Sequence, residues 1–197
     1  RRRRTRPSWW RSQVPPPTSK VPTLLSFLAK INLDVTDLAA LSSGGHTVGI
    51  AHCSSFDNRL FPTQDPTLNK FFAGQLYGTC PTNTTVNTTV NDIRTPNTFD
   101  NKYYVDLLNR EGLFTSDQDL LTNATTRPLV TKFAVDQQAF FEQFVYSYVK
   151  MGQINVLTGS QGQVRANCSA RNGDGGGEMP WSSVVETVVD AAGSLVL

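Results

Sequence analysis

The sequence predicts a mainly α domain. Apolar residues recur at three- and four-residue spacing in several segments, those segments open near Asp, Asn or Pro and close near Gly, and alternating strand patterns are few. At 197 residues the chain is long enough for one sizeable core without disulfide staples. Hydrophobic residues make up 39% and charged residues 17%, and no apolar run approaches the roughly 18 residues needed to cross a bilayer. A disordered acidic chain and a membrane span are both excluded. The net charge is +2, but six arginines (Arg1, Arg2, Arg3, Arg4, Arg6 and Arg11) fall in the first eleven residues, so the remainder carries 2 − 6 = −4.

The arginine cluster, Trp9, Trp10 and Pro15-Pro16-Pro17 have little to bury, so residues 1–20 read as a disordered tail. From Val21, Leu24, Leu25, Leu28 and Ile31 make one helical face. A second helix runs from Thr36 or Asp37 through Leu41 and stops at Gly44-Gly45. Asp65-Pro66 starts a third, with Leu68, Phe71, Phe72 and Leu76 inward. Asp100 caps a fourth from Asn101 to Glu111, with Tyr104, Leu107 and Leu108 inward and Gly112 as its stop. The longest helical pattern spans Thr126 to Met151, breaks near Asp136, and lines up Phe140, Phe141, Phe144, Val145, Tyr148 and Met151 as a core stripe closed by Gly152. Strand signals are confined to Thr85–Ile93 and Gln163–Ala166. The run Gly173 to Gly177 marks a boundary, followed by a short amphipathic extension through Val184, Val185, Val188, Val189 and Leu195 that is too short to be stable alone.

Chemistry has few places to reside. The chain has two histidines, His46 and His52. His46 follows two glycines, whose missing side chains let a flat ligand come close; a structural histidine is the plainer reading of that position. Asp92 to Asp100 groups carboxylates and hydroxyls around a proline turn, the oxygen-rich setting a hard divalent cation prefers, and equally a turn followed by a helix cap. Cys53, Cys80 and Cys168 leave one odd thiol whatever the pairing. Asn83, Asn87, Asn123 and Asn167 each open an N-x-[ST] triplet, which favours a secreted chain, with chance triplets in an Asn- and Thr-rich sequence as the alternative. No signal-peptide pattern follows the basic start.

Four segments together carry a resemblance: LSSGGHTVGIAHC (Leu41 to Cys53), DIRTPNTFDNKYY (Asp92 to Tyr104), GLFTSDQDL (Gly112 to Leu120) and MGQINVLTGSQGQVRANC (Met151 to Cys168). From about Pro15 to Asn172 the chain resembles the C-terminal, proximal half of the secretory plant haem peroxidases of class III. The resemblance implies the proximal part of that helical fold with a small β-hairpin over residues 21–172, with 173–197 as an extension of the kind that directs some members to the vacuole. It implies haem b and calcium as cofactors, and hydrogen peroxide and small phenolic donors as substrates. His46 becomes the axial ligand of the haem iron and Asp117 the carboxylate behind it, accepting the Nδ1 proton so that Nε2 faces the iron; the plainer role for Asp117 is a cap of the short helix that follows. Thr47, Asp92, Thr95, Thr98 and Asp100 become the calcium ligands, Thr98 through its backbone carbonyl. His52 becomes a contact at the haem edge and Pro15 a residue at the mouth of the substrate channel. Cys53 and Cys80 become a disulfide that closes a loop contributing on the order of 3–4 kcal/mol, and Cys168 is left without its partner.

The resemblance also implies what is missing. Peroxide cleavage needs a distal histidine to move a proton and an arginine to stabilise the leaving oxygen, and in the family both come from the upstream half. The doublet Ser42-Ser43 replaces a single family serine, which would rotate or bulge the segment carrying His46. The expected function is therefore a peroxide-dependent oxidoreductase by family, incomplete in this chain; the alternative is a non-catalytic fragment that binds haem or calcium. A monomer is expected, secreted to the cell wall or held in the vacuole, with no membrane or nucleic-acid partner. An arginine-rich nucleic-acid arm is the weakest reading, because the body is net acidic.

Overall fold

The computed structural model describes residues 15–167, 170 and 172; the expectations for the arginine-rich start, for Cys168 and for the extension after residue 172 lie outside them. The chain divides into two units, Arg1–Ile154 and Asn155–Leu197. Among the described residues the first unit holds seven α-helices and one two-stranded sheet. They are α1 (Val21–Leu28), α2 (Val35–His46), α3 (Lys70–Thr79), α4 (Lys102–Leu108), α5 (Thr115–Thr122), α6 (Arg127–Val135) and α7 (Gln137–Gly152), with strands β1 (Ile50–His52) and β2 (Thr88–Val90). The class is mainly α, as the spacing predicts.

The segment ahead of α1 is tied down, since the Ser116 amide donates to the Pro17 carbonyl at 2.9 Å and the Val21 amide to Asp119 Oδ2 at 2.7 Å. Pro22 sits in the first turn of α1, where its missing N–H costs nothing. Asp34 then opens α2 with a reciprocal cap: its carboxylate accepts from the Thr36 and Asp37 amides, and Asp37 accepts from the Asp34 amide. The helix does not stop at Gly44-Gly45 but runs on to His46, and the serine doublet makes no bulge. Ser42 Oγ bonds back to the Leu38 carbonyl at 2.8 Å, so the extra hydroxyl is absorbed within the helix. Gly44 is retained in the helix for a packing reason: a Cβ there would lie 1.9 Å from Phe144 of α7, whereas Gly45 faces open space.

Further corrections concern helix ends and faces. Asp65 shapes a turn through the Thr67 amide and hydroxyl, and α3 begins only at Lys70, capped by Asn69 Oδ1. With that start Phe71 points outward at 89% exposure, while Leu68, Phe72 and Leu76 are buried. Asp100 does accept from the Lys102 amide, but α4 ends at Leu108, with Arg110 in the left-handed region at φ 62° rather than Gly112 as the stop. Leu108 is consequently exposed, and Tyr103, absent from the predicted face, is buried. Asp136 ends α6 and begins α7, its carboxylate accepting from the Ala139 amide. On α7 only the first part of the predicted stripe is core: Phe140 is fully buried among Tyr104, Phe133 and Phe99, whereas Val145, Tyr148 and Met151 are exposed.

Two apolar clusters result. One joins α1, α2, α4, α5, α6 and α7 around Leu38, Ala39, Tyr104, Leu107, Val130, Phe133 and Phe140; the other packs Phe56, Leu60, Leu68, Phe72, Leu76 and Leu113 around the Cys53–Cys80 disulfide. Strands β1 and β2 pair antiparallel, Ile50 opposite Val90 and His52 opposite Thr88. The Thr85–Ile93 signal contains β2; its partner β1 is three residues long, below the length at which alternation is visible. In the second unit Gln163–Ala166 is not a strand, because Asn172 satisfies this backbone, donating to the Val164 carbonyl and accepting from the Ala166 amide.

Gly44→Ala should lower unfolding free energy by about 1–3 kcal/mol through overpacking against Phe144, while Gly45→Ala should leave it unchanged or raise it by up to about 1 kcal/mol. Urea denaturation of the two variants side by side measures the contrast.

Candidate functional site

His46 is the last residue of α2 and Asp117 lies in the first turn of α5. The structure brings them together, with His46 Nε2 3.1 Å from Asp117 Oδ1 and both side chains nearly out of solvent, at 12% and 4% exposure. Asp117 is the acceptor for three donors: the Phe114 amide at Oδ2 (2.7 Å), and the Tyr103 hydroxyl (3.0 Å) and His46 at Oδ1. It is therefore both the helix cap and the histidine's carboxylate, the two roles the sequence left as alternatives. The Tyr103 and Phe114 rings flank the imidazole at centroid distances of 4.9 and 5.5 Å. Burial disfavours the charged imidazolium, yet the charge and hydrogen bond of Asp117, helped by the Asn91 backbone and Asp92, leave the His46 pKa above its ordinary value. Burial first, then Asp117, holds the Tyr103 hydroxyl neutral far past its usual range.

The residue that fixes Asp117's loop is Arg59, which no sequence pattern singled out. It is fully buried, and its guanidinium donates to the carbonyls of Gly112, Leu113 and Phe114 and to Asp65 and Thr67. Arg59 sits between Phe56 and Leu60, both fully buried, and that apolar flanking is the one hint the sequence offers. Gln118 completes the loop, accepting from the Gly112 amide and donating to the Leu107 carbonyl.

The expected orientation of the dyad is corrected: Nε2, not Nδ1, meets Asp117, and Nδ1 is buried without a hydrogen-bond partner. An axially bound haem needs a ring nitrogen open toward the tetrapyrrole. The electronic half of that requirement is met, since a carboxylate backs the imidazole. The steric half is not, because one nitrogen is taken by Asp117 and the other is shut in. In this orientation the residues do not fit the group. His52 lies on β1 opposite Thr88 with an exposed side chain, and Pro15 is half-buried; neither joins the hydrogen bonds around Asp117.

Four of the five residues expected at calcium, Asp92, Thr95, Thr98 and Asp100, fall in one loop, and Thr47 is bonded to it from the end of α2. Asp92 Oδ1 accepts from the Arg94 and Thr95 amides, Thr95 Oγ1 donates to Asp100 Oδ1 at 3.0 Å, the Thr98 amide donates to the Thr95 carbonyl, and the Asn97 amide reaches the Thr47 carbonyl at 2.9 Å. Two carboxylates, hydroxyls and carbonyls are the donor set a hard cation takes, so these residues fit calcium. Among the described residues there is no cluster of three or more His, Cys, Asp or Glu side chains that could hold a metal. Beside the loop, Arg94 pairs with Asp106 at 2.7 Å and Glu111 at 3.0 Å. Burial raises Asp106 to about 7 despite Arg94, with Asp92 and Glu111 adding to the rise.

The class these features define is a helical fold with a buried histidine–carboxylate pair, set beside an oxygen-rich loop and a disulfide. A family model described as Peroxidase matches residues 1–136. The chain is 66% identical over 180 residues to Cationic peroxidase SPC4 of Sorghum bicolor (91% of this chain, 49% of that one). It is 55% identical over 185 residues to Peroxidase 12 of Arabidopsis thaliana (94% and 50%), and 44% identical over 153 residues to Peroxidase 2 of Hordeum vulgare (76% and 89%). The chain belongs to the plant peroxidase family, of the class III type. It spans about half the length of the sorghum and Arabidopsis relatives.

Arg59→Met should cost about 3 kcal/mol, since it takes the guanidinium from the Gly112 and Leu113 carbonyls, leaves Phe114's carbonyl with only the Gln118 amide, and leaves Asp65 without its cation; urea denaturation reads it. For Asp106 the folded carboxyl at about 7 lies above the unfolded 3.8, so the folded state binds the extra proton. Its contribution therefore favours folding at low pH and fades as pH rises from about 4 to about 7. Asp106→Asn should flatten that part of the stability profile, measured by thermal unfolding across pH in calcium-free buffer.

Proposed function

We propose that this chain supplies the histidine–carboxylate half of a plant peroxidase site and that hydrogen-peroxide-dependent oxidation of phenolic donors requires a further half to complete it. The observation that carries the reading is the buried His46–Asp117 pair in a chain about half as long as its sorghum and Arabidopsis relatives. Peroxide cleavage needs a base free to move a proton between the two oxygens. Of the two histidines, His46 is held by Asp117 and His52 is exposed on β1, so neither is placed as such a base. Val48 and Ile50 just past His46, and Val145, Tyr148 and Val149 on α7, are exposed apolar residues, which supports a surface that packs against further structure. Haem b is the cofactor the family implies, and the ring as folded does not fit it.

Calcium belongs to the same reading. Thr47, Asp92, Thr95, Thr98 and Asp100 would hold it, and because Thr47 directly follows His46 the ion would brace the end of α2. Secretion or vacuolar storage and glycosylation at Asn83, Asn87, Asn123 and Asn167 also belong to it; Asn83 and Asn167 are exposed, while the Asn87 amide donates to the Thr79 carbonyl. No helix among the described residues is long and apolar enough to cross a membrane. The second reading, a binding fragment without catalysis, is favoured by the calcium loop alone.

With hemin and peroxide added, the chain should oxidise guaiacol no faster than hemin alone; a rate well above hemin would overturn the half-site reading. Calcium at a large excess over its dissociation constant should raise the thermal midpoint by several degrees, and Asp92→Asn should abolish the rise.

A further inference from the structure

The geometry points to His46 being locked as the Nε2–H tautomer against Asp117, so that this fold withholds the imidazole from axial ligation instead of presenting it. Asp117 Oδ1 lies 3.1 Å from Nε2, and an anionic acceptor at that distance fixes the ring proton on the nitrogen it faces. The other nitrogen, Nδ1, is buried with no hydrogen bond of ordinary length; the Asn91 backbone lies near the ring, but a neutral acceptor competes poorly with the Asp117 carboxylate for the one proton of a neutral imidazole. Turning the ring over about Cβ–Cγ does not exchange the two: a half-turn brings carbon Cε1, not Nδ1, to Asp117. The half-turn moves Nε2 to the former place of Cε1, so presenting Nε2 elsewhere, by that turn or by a swing of the side chain, gives up the Asp117 bond.

The surroundings oppose that swing. The rings of Tyr103 and Phe114 flank the imidazole. The direction in which His46 leaves α2 is set at both ends of the helix. Asp34 caps its start, Asp37 is gripped by Ser147 Oγ at 2.7 Å and by Lys150, and Gly44 lies against Phe144. Asp117 cannot follow, because the Phe114 amide and the Tyr103 hydroxyl hold it as well. The lock bears on the same histidine as the half-peroxidase reading, but the two are tested apart: the guaiacol assay tests that reading, and the measurements below test the lock.

The test is a long-range nitrogen–proton NMR spectrum of the imidazole rings in the full chain, at a pH where the rings are neutral. With two histidines, His52→Gln assigns the signals. Nitrogen shifts showing Nε2 protonated and Nδ1 bare support the lock; the Nδ1–H tautomer overturns it. A hemin titration gives a readout independent of that assignment. If the spectrum of the hemin mixture is the same for wild type and His46→Gln, with apparent affinities within about twofold, the ring is withheld. A histidine-ligated spectrum that disappears in His46→Gln, with a tenfold or larger loss of affinity, overturns the inference.

Discussion

The carboxylate of Asp117 is the point on which this architecture turns. A buried anion is costly unless each side of it is met by a donor, and here an amide, a phenol and an imidazole do so from three elements: the start of α5, α4 and the end of α2. Those bonds carry positional information as well as energy. They state where α5 begins, which face of α4 turns inward, and where the last side chain of α2 must lie. Arg59 performs the complementary task on the loop before α5, holding three successive carbonyls. A buried cation and a buried anion thus fix one short loop, and the two apolar clusters meet across it, Leu113 in one and Leu120 in the other.

The same logic explains why α2 can be long and glycine-containing without fraying. Two glycines near its end would weaken an isolated helix. Inside the fold the helix is closed at its start by a reciprocal acid cap and joined to α7 through Ser147 and Lys150. The Phe144 ring then occupies the space that a side chain at residue 44 would need. Thr47, the residue after His46, is drawn into the Asp92–Asp100 loop by its carbonyl. The histidine therefore sits between a carboxylate network and an oxygen-rich loop, and each restrains it independently.

Membership of the plant peroxidase family and the state of the dyad are different kinds of fact. The first follows from identity across most of the chain; the second depends on a ring orientation that identity does not specify. A helix advances about 100° per residue, so the nitrogen that faces a partner is decided by where the helix starts, what stops it turning and which side chains line the ring.

By itself the sequence determined the helical class, the position of most helices and the break at Asp136, because apolar periodicity and acid caps are local and survive reading one residue at a time; it associated His46 with Asp117 and with the Asp92–Asp100 loop only through the resemblance to the peroxidases. It did not determine that α2 passes through its glycines, that Phe71 faces water, or that Tyr103 and Arg59 are buried beside the site. Those outcomes are set by partners distant in the chain: Phe144 across from Gly44, and loop carbonyls more than fifty positions beyond Arg59. Which imidazole nitrogen meets Asp117 belongs to the same class. Only the packed structure fixes it, since it depends on the relative placement of two helix termini that no local pattern encodes.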